Sequence, residues 1–306
     1  MMGVMAEPTD ALRQAYQRHE RRWADNLYVY AVVSRRSHGV SIGINLNPGK
    51  ECNFDCIYCQ VDRSVASSVR KVDLERVAAE LDAVLRAEAD GSLYTAPPFD
   101  ALAPDARGVR DIAFSGDGEP TTYPRLKEAF EVAAAARARF GLEAAKLVLL
   151  TDAAYLSRPP VREALTVLDA NNGEIWAKLD AGTDEYFQRI DRPNVSLSRV
   201  LESISDAARV RPVVIQSLFM RVNGQPMPEG EVEAYCDRLN GLLAEGGQIK
   251  AIQIHTIARR PADPSVTPLA DAELDQLAAK VRARVPVPIE TYYGVGESVL
   301  TNVSRG

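Results

Sequence analysis

Residues 47–60 read NPGKECNFDCIYCQ and contain three of the chain's four cysteines, namely Cys52, Cys56 and Cys59. A strand-like apolar run at 40–46 precedes this stretch, and Pro48 and Gly49 interrupt the run. Proline and glycine mark turns and loops, so the cysteines are predicted to lie in a loop at the end of a strand. We call residues 47–60 the cysteine loop.

Three thiolates on one short loop can bind a metal ion or a cluster, because thiolate suits both zinc and iron–sulfur clusters. A structural zinc site takes four protein ligands, and a fully ligated cluster takes four thiolates. The loop provides three, which leaves one position open for another ligand. Two alternatives stay open: a zinc site completed by a distant histidine or by Cys236, and a metabolic barrel enzyme with incidental cysteines. Cys236 itself shares a helical stripe with Val232, Leu239 and Leu243, which is typical of a core position.

Length and composition indicate a soluble globular protein. The chain has 306 residues, enough for one large domain or two ordinary ones, and it is 46% hydrophobic and 25% charged. It contains no run of about 18 apolar residues and no signal pattern at the amino terminus, so neither a membrane span nor secretion is expected. Four unevenly spaced cysteines argue against a disulfide framework and favour a reducing, cytoplasmic compartment. The net charge of −6 argues against a protein that binds nucleic acid over its whole surface.

Strand-like and helix-like segments alternate along the chain. Strands are expected at 28–33, 40–46, 111–115, 146–151, 174–180, 212–221 and 249–256, and helices at 9–24, 73–88, 123–140, after Pro159-Pro160, and at 196–210, 229–245 and 271–285. About six β–α units with short apolar strands predict an α/β fold, a parallel sheet closed into a full or partial (βα)6-type barrel. We assign residues 38–306 to the barrel domain and residues 1–37 to an amino-terminal extension with a helix and a short strand. The irregular stretches 90–110 and 259–269 are expected to be functional loops or edge decorations.

Unusual polar residues occur where the predicted strands end. Functional sites of such barrels lie at the carboxyl ends of the strands. Besides the three cysteines, the residues found there are Gly116, Asp117, Gly118, Glu119, Pro120, Thr151, Asp152, Lys178, Asp180, Arg221, Asn223 and His255. They are therefore expected to form one site at one end of the barrel.

Each of these groups has a chemical and a structural interpretation. Gly116 and Gly118 allow close backbone approach to a ligand, and Asp117 and Glu119 offer negative charge to an ammonium group. The alternative is a tight strand-to-helix turn at Pro120.

The later strand ends carry further candidates. Lys178 and Asp180 share one strand face and are candidates for catalysis or for an ion pair inside the barrel. Arg221 and Asn223 are candidates for cofactor binding or for a loop-stabilising pair. His255 is a candidate general base or a core histidine.

The spacing C-x3-C-x2-C, with an aromatic residue directly before the last cysteine, resembles the cluster loop of the radical S-adenosylmethionine (SAM) superfamily. Residues 115–120 read SGDGEP and are similar to the motif of that superfamily that contacts the methionine amino group. Together the two motifs look like its wyosine-synthase-like family, and the resemblance covers roughly residues 40–260. It implies the partial or full barrel of the radical SAM kind. We call residues 115–120 the SGDGEP loop.

The resemblance also implies cofactors and roles. Cys52, Cys56 and Cys59 would bind three irons of a [4Fe-4S] cluster, and the fourth iron would chelate the amino and carboxylate groups of SAM. Tyr58 would lie near the adenine, residues 116–119 would meet the amino group, and Lys178 and Asp180 would contact the carboxylate or ribose. Reduction of the cluster would split SAM into methionine and a 5′-deoxyadenosyl radical, which abstracts a hydrogen atom from a substrate. A bulky residue at position 118 would then weaken SAM binding while the cluster stays intact.

Two departures from the family bear on partners and substrate. Wyosine synthases carry further amino-terminal cysteines for a second cluster, whereas no cysteine precedes Cys52 here, which counts against formation of a tricyclic tRNA base. No flavodoxin-like domain is present, so an external electron donor of the flavodoxin or ferredoxin type is expected.

Basic residues are scattered, and Arg35-Arg36 and Arg259-Arg260 are the compact basic pairs near the predicted loops, so a small molecule or short modified group is the favoured substrate. A tRNA-modifying wyosine-type enzyme acting on a guanosine-derived base, and a non-enzymatic iron–sulfur or zinc protein, stay open as alternatives.

Overall fold

The computed structural model describes residues 10–17, 23–259, 261 and 263–294. In these residues the strands are β1 (Val29–Ser34), β2 (Gly39–Ile44), β3 (Val109–Phe114), β4 (Lys146–Thr151), β5 (Gly173–Lys178), β6 (Val213–Leu218), β7 (Met220–Val222), β8 (Ile249–His255), β9 (Val266–Pro268) and β10 (Ile289–Tyr292). The α-helices are α1 (Asp10–Gln17), α2 (Leu74–Ala89), α3 (Leu126–Arg139), α4 (Pro159–Asp169), α5 (Asp184–Ile190), α6 (Leu197–Val210), α7 (Glu229–Ala244) and α8 (Asp271–Arg284). Part of the predicted first helix, residues 9 and 18–22, lies outside the described residues.

One sheet of eight strands forms the body of the protein, in the order β1-β2-β3-β4-β5-β6-β8-β10. The strands from β2 to β10 run parallel, and β1 pairs antiparallel with β2, from Val29 opposite Ile44 to Ser34 opposite Gly39. Parallel neighbours need crossover connections, which the helices between the strands provide. The sheet curls into a half-barrel whose edges, within the described part of the chain, are β1 and β10. The predicted partial parallel α/β barrel is confirmed.

Parts of the sheet differ from the sequence prediction. The expected strand at 212–221 is interrupted at Phe219, whose backbone N–H donates to the His255 carbonyl oxygen at 2.8 Å. The chain therefore leaves β6 at Leu218, and β7 pairs with β9 in a separate two-stranded antiparallel sheet. The sequence pattern predicts neither α5 nor β10, because seven and four residues are too few for periodicity to identify an element.

The two irregular stretches contain short regular elements. Residues 90–110 form three short 3-10 turns that bury Leu93, Phe99 and Leu102. Their apolar side chains belong to the same core as the helices. Residues 259–269 contain β9.

The two faces of the sheet differ in what they pack against. Side chains alternate between faces along a strand, so alternate residues of each strand share one face. On the outer face a fully buried set packs with the helices: Ile42, Ile44, Ile112, Phe114, Leu147, Leu149, Ile215, Ile252 and Ile254. On the inner face a separate small apolar cluster consists of Ala113, Val148, Trp176 and Val214, with Leu150 packed against it. The inner face beyond this cluster is polar and forms the wall of the half-barrel.

Glu80 on α2 anchors the first strand. Its side chain is buried, and its carboxylate accepts hydrogen bonds from the backbone N–H groups of Leu27 at 2.8 Å, Tyr28 at 2.8 Å and Val29 at 3.0 Å. Arg76, one turn earlier on α2, donates to the same carboxylate at 2.8 Å. The start of β1 belongs to the predicted amino-terminal extension. It is hydrogen-bonded to both α2 and β2.

We expect Glu80→Gln to lower the free energy of unfolding by roughly 1–3 kcal/mol, because the new amide N–H₂ would face backbone donors that then lack an acceptor. Urea denaturation of the full chain measures this change. The control is Glu75→Gln in the exposed first turn of α2, which should cost about 0.5 kcal/mol or less. Equal unfolding midpoints for the two variants would contradict the anchoring role.

Candidate active site

A cavity of about 290 Å³ lies inside the half-barrel. Its wall includes the three cysteines of the cysteine loop and most of the other predicted site residues: Tyr58, Gly116, Asp117, Gly118, Glu119, Lys178 and His255. The wall also includes Arg35, Arg36, Asp111 and Trp176, which the strand-end argument does not predict. The cavity therefore extends from the predicted site at the carboxyl ends of the strands to residues of the inner face nearer the starts of the strands.

The cysteine loop is held against the end of α5. Phe54 and Ile57 are buried, and the Phe54 ring packs edge-on against Phe187 of α5 with 5.4 Å between ring centroids. The backbone N–H of Ile57 donates to the carbonyl oxygen of Ile190 at 2.9 Å, and that of Asp55 to the carbonyl oxygen of Asp191 at 3.1 Å. These contacts fix the loop from behind while the three thiols line the cavity.

The three thiols are free and partly exposed to the cavity. Burial raises the pKa of the Cys52 thiol to about 12, and the Asp152 carboxylate adds to the shift. Burial also raises the pKa of the Cys56 thiol well above its ordinary value, with Asp191 next in effect. Thiolates beside buried carboxylates need a cation, and metal binding displaces the thiol proton. The donor set therefore suits a cationic iron–sulfur centre.

The described ranges contain no group of three or more His, Cys, Asp or Glu side chains placed to hold a metal ion. A four-iron cluster binds each thiolate through a different iron, so its ligands are spread more widely than those of a single ion. Cys236 lies apart from the loop, fully buried in α7, as its helical stripe predicts.

Asn45 organises the first half of the SGDGEP loop. Its Nδ2 donates to Asp117 Oδ2 at 2.7 Å, while its Oδ1 accepts from the backbone N–H of Asp117 at 3.2 Å and of Asn47 at 3.0 Å. A Cβ atom on Gly116 would lie 2.4 Å from Asn45 Oδ1, so glycine is needed there. Asn45 is not among the residues predicted from the sequence, although a lone amide within the apolar run 40–46 is a detectable signal.

Gly118 allows the backbones of the two loops to meet. A Cβ atom at this position would lie 1.9 Å from the Glu51 carbonyl oxygen, and the next residue, Glu119, donates its backbone N–H to that oxygen at 3.0 Å. This geometry gives glycine here a structural role, and the interpretation that it leaves room for SAM stays a prediction. A side chain at position 118 would displace Glu51, the residue next to Cys52.

Glu119 is buried and bonded to the end of β4. Its Oε1 accepts from the Thr151 hydroxyl at 2.7 Å and from the Thr121 N–H at 3.0 Å, and its Oε2 accepts from the Asp152 N–H at 2.8 Å. Burial raises the pKa of this carboxyl, and the hydrogen bonds oppose the shift. Both oxygens are therefore used to join the loops after β3 and β4.

One carboxylate oxygen of Asp152 accepts no hydrogen bond from the described residues, whereas both oxygens of Glu119 do. Its Oδ1 accepts from the Ala154 N–H at 3.0 Å, whereas its buried Oδ2 has no hydrogen-bond partner among the residues that the structure describes. Burial and the Glu119 charge raise the pKa of Asp152 well above its ordinary value, with Asn53 and Lys178 opposing the shift. The sequence placed Asp152 at a strand end without a role.

Tyr58 is fixed by a buried network of charges. Its hydroxyl oxygen lies within hydrogen-bonding distance of Asp180 Oδ2 and, at 2.8 Å, of Asp191 Oδ1, so its single proton can be donated to either carboxylate. Lys178 Nζ lies 3.0 Å from Asp180 Oδ2. The same ammonium lies 4.5 Å from the centroid of the Tyr58 ring, a cation–π contact. Burial, followed by the Asp180 charge, raises the pKa of Asp191 to about 7. The ion pair weighed as the structural alternative for Lys178 and Asp180 is present, and it orients the aromatic ring beside Cys59.

Of the remaining predicted site residues, His255 lies in the cavity wall, whereas Arg221 and Asn223 do not. His255 lines the cavity, is buried, and its Nδ1 has no partner in the described part of the chain. Burial and the charges of Arg36 and Lys178 lower its pKa well below the ordinary value, so its ring is neutral near pH 7.

Arg221 and Asn223 are not brought to the cavity. Arg221 pairs with Glu273 at 2.5 Å, and Asn223 donates its backbone N–H to the Ser265 carbonyl oxygen at 2.8 Å. These are contacts of a loop-stabilising pair. Of the second basic pair, Arg259 lines the cavity mouth and Arg260 lies outside the described residues.

The sequence model of the Radical SAM superfamily matches residues 46–239. The chain belongs to the radical SAM superfamily. It is therefore an enzyme, and the superfamily-level resemblance drawn from the two motifs is confirmed.

Similar proteins agree with the fold of this radical SAM chain. A UPF0026 protein of Helicobacter pylori is 25% identical over 178 residues, which are 58% of this chain and 50% of that protein, so the chain spans half of that relative's length. A radical SAM methyltransferase from Sphaerobacter thermophilus has a TM-score of 0.59 at 14% identity, with 89% of this chain and 70% of that chain covered. Streptococcus suis SuiB, solved with S-adenosylmethionine, has a TM-score of 0.55 at 13% identity, with 84% of this chain and 52% of that chain covered.

No helix among the described residues is long and apolar enough to cross a membrane.

We expect Gly118→Val to destabilise the protein by roughly 1–3 kcal/mol and to lower the iron bound after reconstitution, because its Cβ would push the Glu51 backbone away. Iron analysis and urea denaturation measure the two effects. The control is Gly241→Ala in α7, where a Cβ meets nothing within 4 Å, and which should keep its iron and gain about 0.5–1 kcal/mol. A Gly118→Val protein with full iron and weak SAM binding would favour the ligand-approach interpretation.

Proposed function

We propose that this protein binds a [4Fe-4S] cluster through Cys52, Cys56 and Cys59, cleaves SAM reductively and abstracts a hydrogen atom from a substrate held inside the half-barrel. The observation that carries the proposal is that three free thiols and the SGDGEP loop line one cavity at the carboxyl ends of the strands. Three cysteine ligands leave one iron without a protein ligand, as the binding of SAM requires. The cluster, when bound, supplies the electron for cleavage of the SAM sulfonium.

The residues around the thiols suit the cationic part of SAM. Asp152 carries a buried carboxylate oxygen without a partner, beside Cys52, whose pKa its charge raises. An ammonium group would neutralise this carboxylate and satisfy the oxygen. Glu119, the acidic residue that the family motif suggests for this role, has both oxygens occupied by protein donors. Asp152 is therefore our candidate for binding the amino group, with Glu119 positioning it through the Asp152 N–H.

The opposite side of the cysteine loop suits orientation of SAM and exclusion of water. Tyr58 is held rigidly by two carboxylates and faces the cavity beside Cys59, where its ring could pack against a flat group such as adenine. Lys178 remains partly exposed to the cavity after pairing with Asp180, so one of its N–H groups is available to a carboxylate or a ribose hydroxyl. His255 is neutral and can donate or accept a single hydrogen bond.

The electron for the reaction would come from a separate protein of the flavodoxin or ferredoxin type. Arg63 lies at the rim of the cavity, with Nη1 3.5 Å from Cys59 Sγ, and Lys50 bonds the following loop through the carbonyl oxygens of Asp62 and Val65. These cations flank the thiols at the surface, which is a suitable place for an acidic donor to dock.

Reconstitution with iron and sulfide under anaerobic conditions tests the proposal. With a strong reductant, the wild type should bind about four irons and convert SAM to 5′-deoxyadenosine and methionine, since three cysteines ligate one cluster. Single replacement of Cys52, Cys56 or Cys59 by Ala should abolish the brown chromophore and the cleavage. Cys236→Ala is the matched control and should retain both, because this thiol is buried in α7.

Other outcomes select the alternatives. Zinc in place of iron, with a fourth protein ligand, would identify a structural metal site. Loss of the chromophore in Cys236→Ala would overturn the ligand assignment. Loss of the cluster with activity retained would identify a barrel enzyme with incidental cysteines.

Asp152→Asn tests the proposed role of the unpartnered oxygen. We expect SAM affinity to fall by about tenfold or more at equal iron content, because a charge-assisted hydrogen bond to the ammonium group becomes a neutral one. Equilibrium dialysis with the reconstituted protein measures the dissociation constant. Asp169→Asn is the control, since this carboxylate pairs with Arg211 outside the cavity. Unchanged affinity in Asp152→Asn combined with a loss in Glu119→Gln would return the role to Glu119.

A further inference from the structure

The deeper part of the cavity carries a cation that the cofactor site does not use. Arg36 lies in the turn between β1 and β2, is half-buried, and lines the same cavity as the cysteines. Its guanidinium stands over the Trp176 ring, 5.4 Å from the ring centroid. Within the described residues this stacking is its one direct contact of the hydrogen-bonding, ionic or aromatic kind, so its five N–H donors have no acceptor among those residues.

The carboxylate of Asp111 does not take the place of a bound anion at Arg36. Asp111 on β3 is buried and its Oδ1 accepts from the Ser41 hydroxyl at 2.5 Å, and burial raises its pKa while the Arg36 charge opposes the shift. The two groups therefore influence each other through space without a direct ion pair. A guanidinium in this setting is stabilised by an oxyanion such as a carboxylate or a phosphate, either of which can accept two parallel hydrogen bonds from it.

A second cation lies beside the first. Arg35 donates to the carbonyl oxygen of Tyr293 and lines the cavity as well, and burial together with the Arg36 charge lowers its pKa to about 10. Two neighbouring guanidinium groups repel each other, more strongly inside a cavity than in water. Binding of a negatively charged group between them would remove this repulsion.

The stacking surface under Arg36 is rigid. The Trp176 indole N–H donates to Glu174 Oε2 at 3.0 Å, and Glu174 is held in turn by Lys146 at 2.8 Å and Lys250 at 2.5 Å. A ring fixed in this way limits the positions of the guanidinium above it, so an incoming ligand orders fewer side chains on binding.

The position of these residues separates them from the cofactor site. Asp111 precedes Ser115, the first residue of the SGDGEP loop, by four residues on one strand, which is about 13 Å at the usual rise. Between the two ends the wall is the apolar cluster that contains Ala113 and Leu150. A ligand bound at Arg36 would therefore extend an uncharged part toward the thiols.

We infer that the inner wall around Arg36 and Trp176 binds an oxyanion group, a carboxylate or a phosphate, of a small-molecule substrate. The inference rests on the proposed function, since it names the substrate class of that same cavity. It assigns Arg36 as the residue that binds the anion, with Arg35 adding charge and Trp176 fixing its orientation. The remainder of the substrate lies along the apolar wall toward the cysteine loop.

Fluorescence of Trp176 provides a direct readout that does not depend on SAM cleavage. The chain has two tryptophans, so Trp23→Phe leaves Trp176 as the single one. Inorganic phosphate and acetate are the probes, titrated against the full chain at ionic strength held constant with chloride. We expect a saturable change in Trp176 emission with at least one probe, and the responding probe identifies the source of the oxyanion.

Three further variants in the same background complete the test. Arg36→Gln should weaken binding by about tenfold or more, because it removes the charge and the paired donors. Arg36→Lys should bind with intermediate affinity, and it replaces Arg36→Gln if that protein does not fold. Arg107→Gln is the matched control, since Arg107 also stacks on an aromatic ring, Tyr94, at 5.0 Å, but outside the cavity.

The possible results separate this inference from the proposed function. Emission that responds to neither probe, or responds equally in Arg36→Gln, overturns the oxyanion site. Binding of bulk tRNA that requires Arg36, without a response to either small anion, overturns it in favour of an RNA-binding mouth. SAM cleavage in a protein that binds no anion defeats this inference alone, and Arg36-dependent anion binding in a protein that cleaves no SAM defeats the proposed function alone.

Discussion

The contact between the cysteine loop and the SGDGEP loop is the constraint on which the site depends. The Glu51 carbonyl oxygen accepts the Glu119 N–H at 3.0 Å, and this approach is open only because residue 118 has no side chain. From this point the bonds continue through the Glu119 carboxylate to Thr151 and Asp152 at the end of β4. The positions of the thiols are therefore coupled to three strand ends, and a disturbance at any one of them reaches the cysteines.

Buried carboxylates concentrate at the same end of the half-barrel. Glu119, Asp152, Asp180 and Asp191 are all buried, and within the described residues Lys178 is the cation that pairs directly with this group, through Asp180. Uncompensated buried charge is costly, and part of the cost is avoided by raised pKa values, as at Asp152 and Asp191. Such an arrangement persists where a bound cation completes it, and a sulfonium compound with an ammonium group is a ligand of that kind.

The sequence was sufficient for the features that depend on local pattern. Alternation of apolar strands and helices predicts the parallel sheet, and the rule that sites lie at strand ends predicts that residues as distant as Cys52, Glu119 and His255 line one cavity. The sequence was insufficient for the features that tertiary contacts determine. The need for glycine at position 118 depends on a backbone 67 residues earlier, at Glu51, and α5 is too short for its role in holding the cysteine loop to show in periodicity. Arg221 and Asn223 end a strand pattern as the other candidates do, but β7 leaves the main sheet and takes them away from the cavity.

The β1–β2 turn was the least predictable part of the site. Arg35 and Arg36 follow a strand that runs antiparallel to the other strands of the main sheet, so the rule for carboxyl ends of parallel strands does not apply to them. An antiparallel edge strand delivers its last residues to the opposite end of the sheet, and the turn therefore places cations beside Asp111 at the start of β3. Four buried carboxylates, those of Glu119, Asp152, Asp180 and Asp191, thus lie at the end with the thiols, whereas Arg35 and Arg36 lie deeper inside with Asp111, beyond the apolar cluster. If both proposals hold, a cationic cofactor and an anionic substrate would bind at different parts of one cavity and would not compete for the same surface.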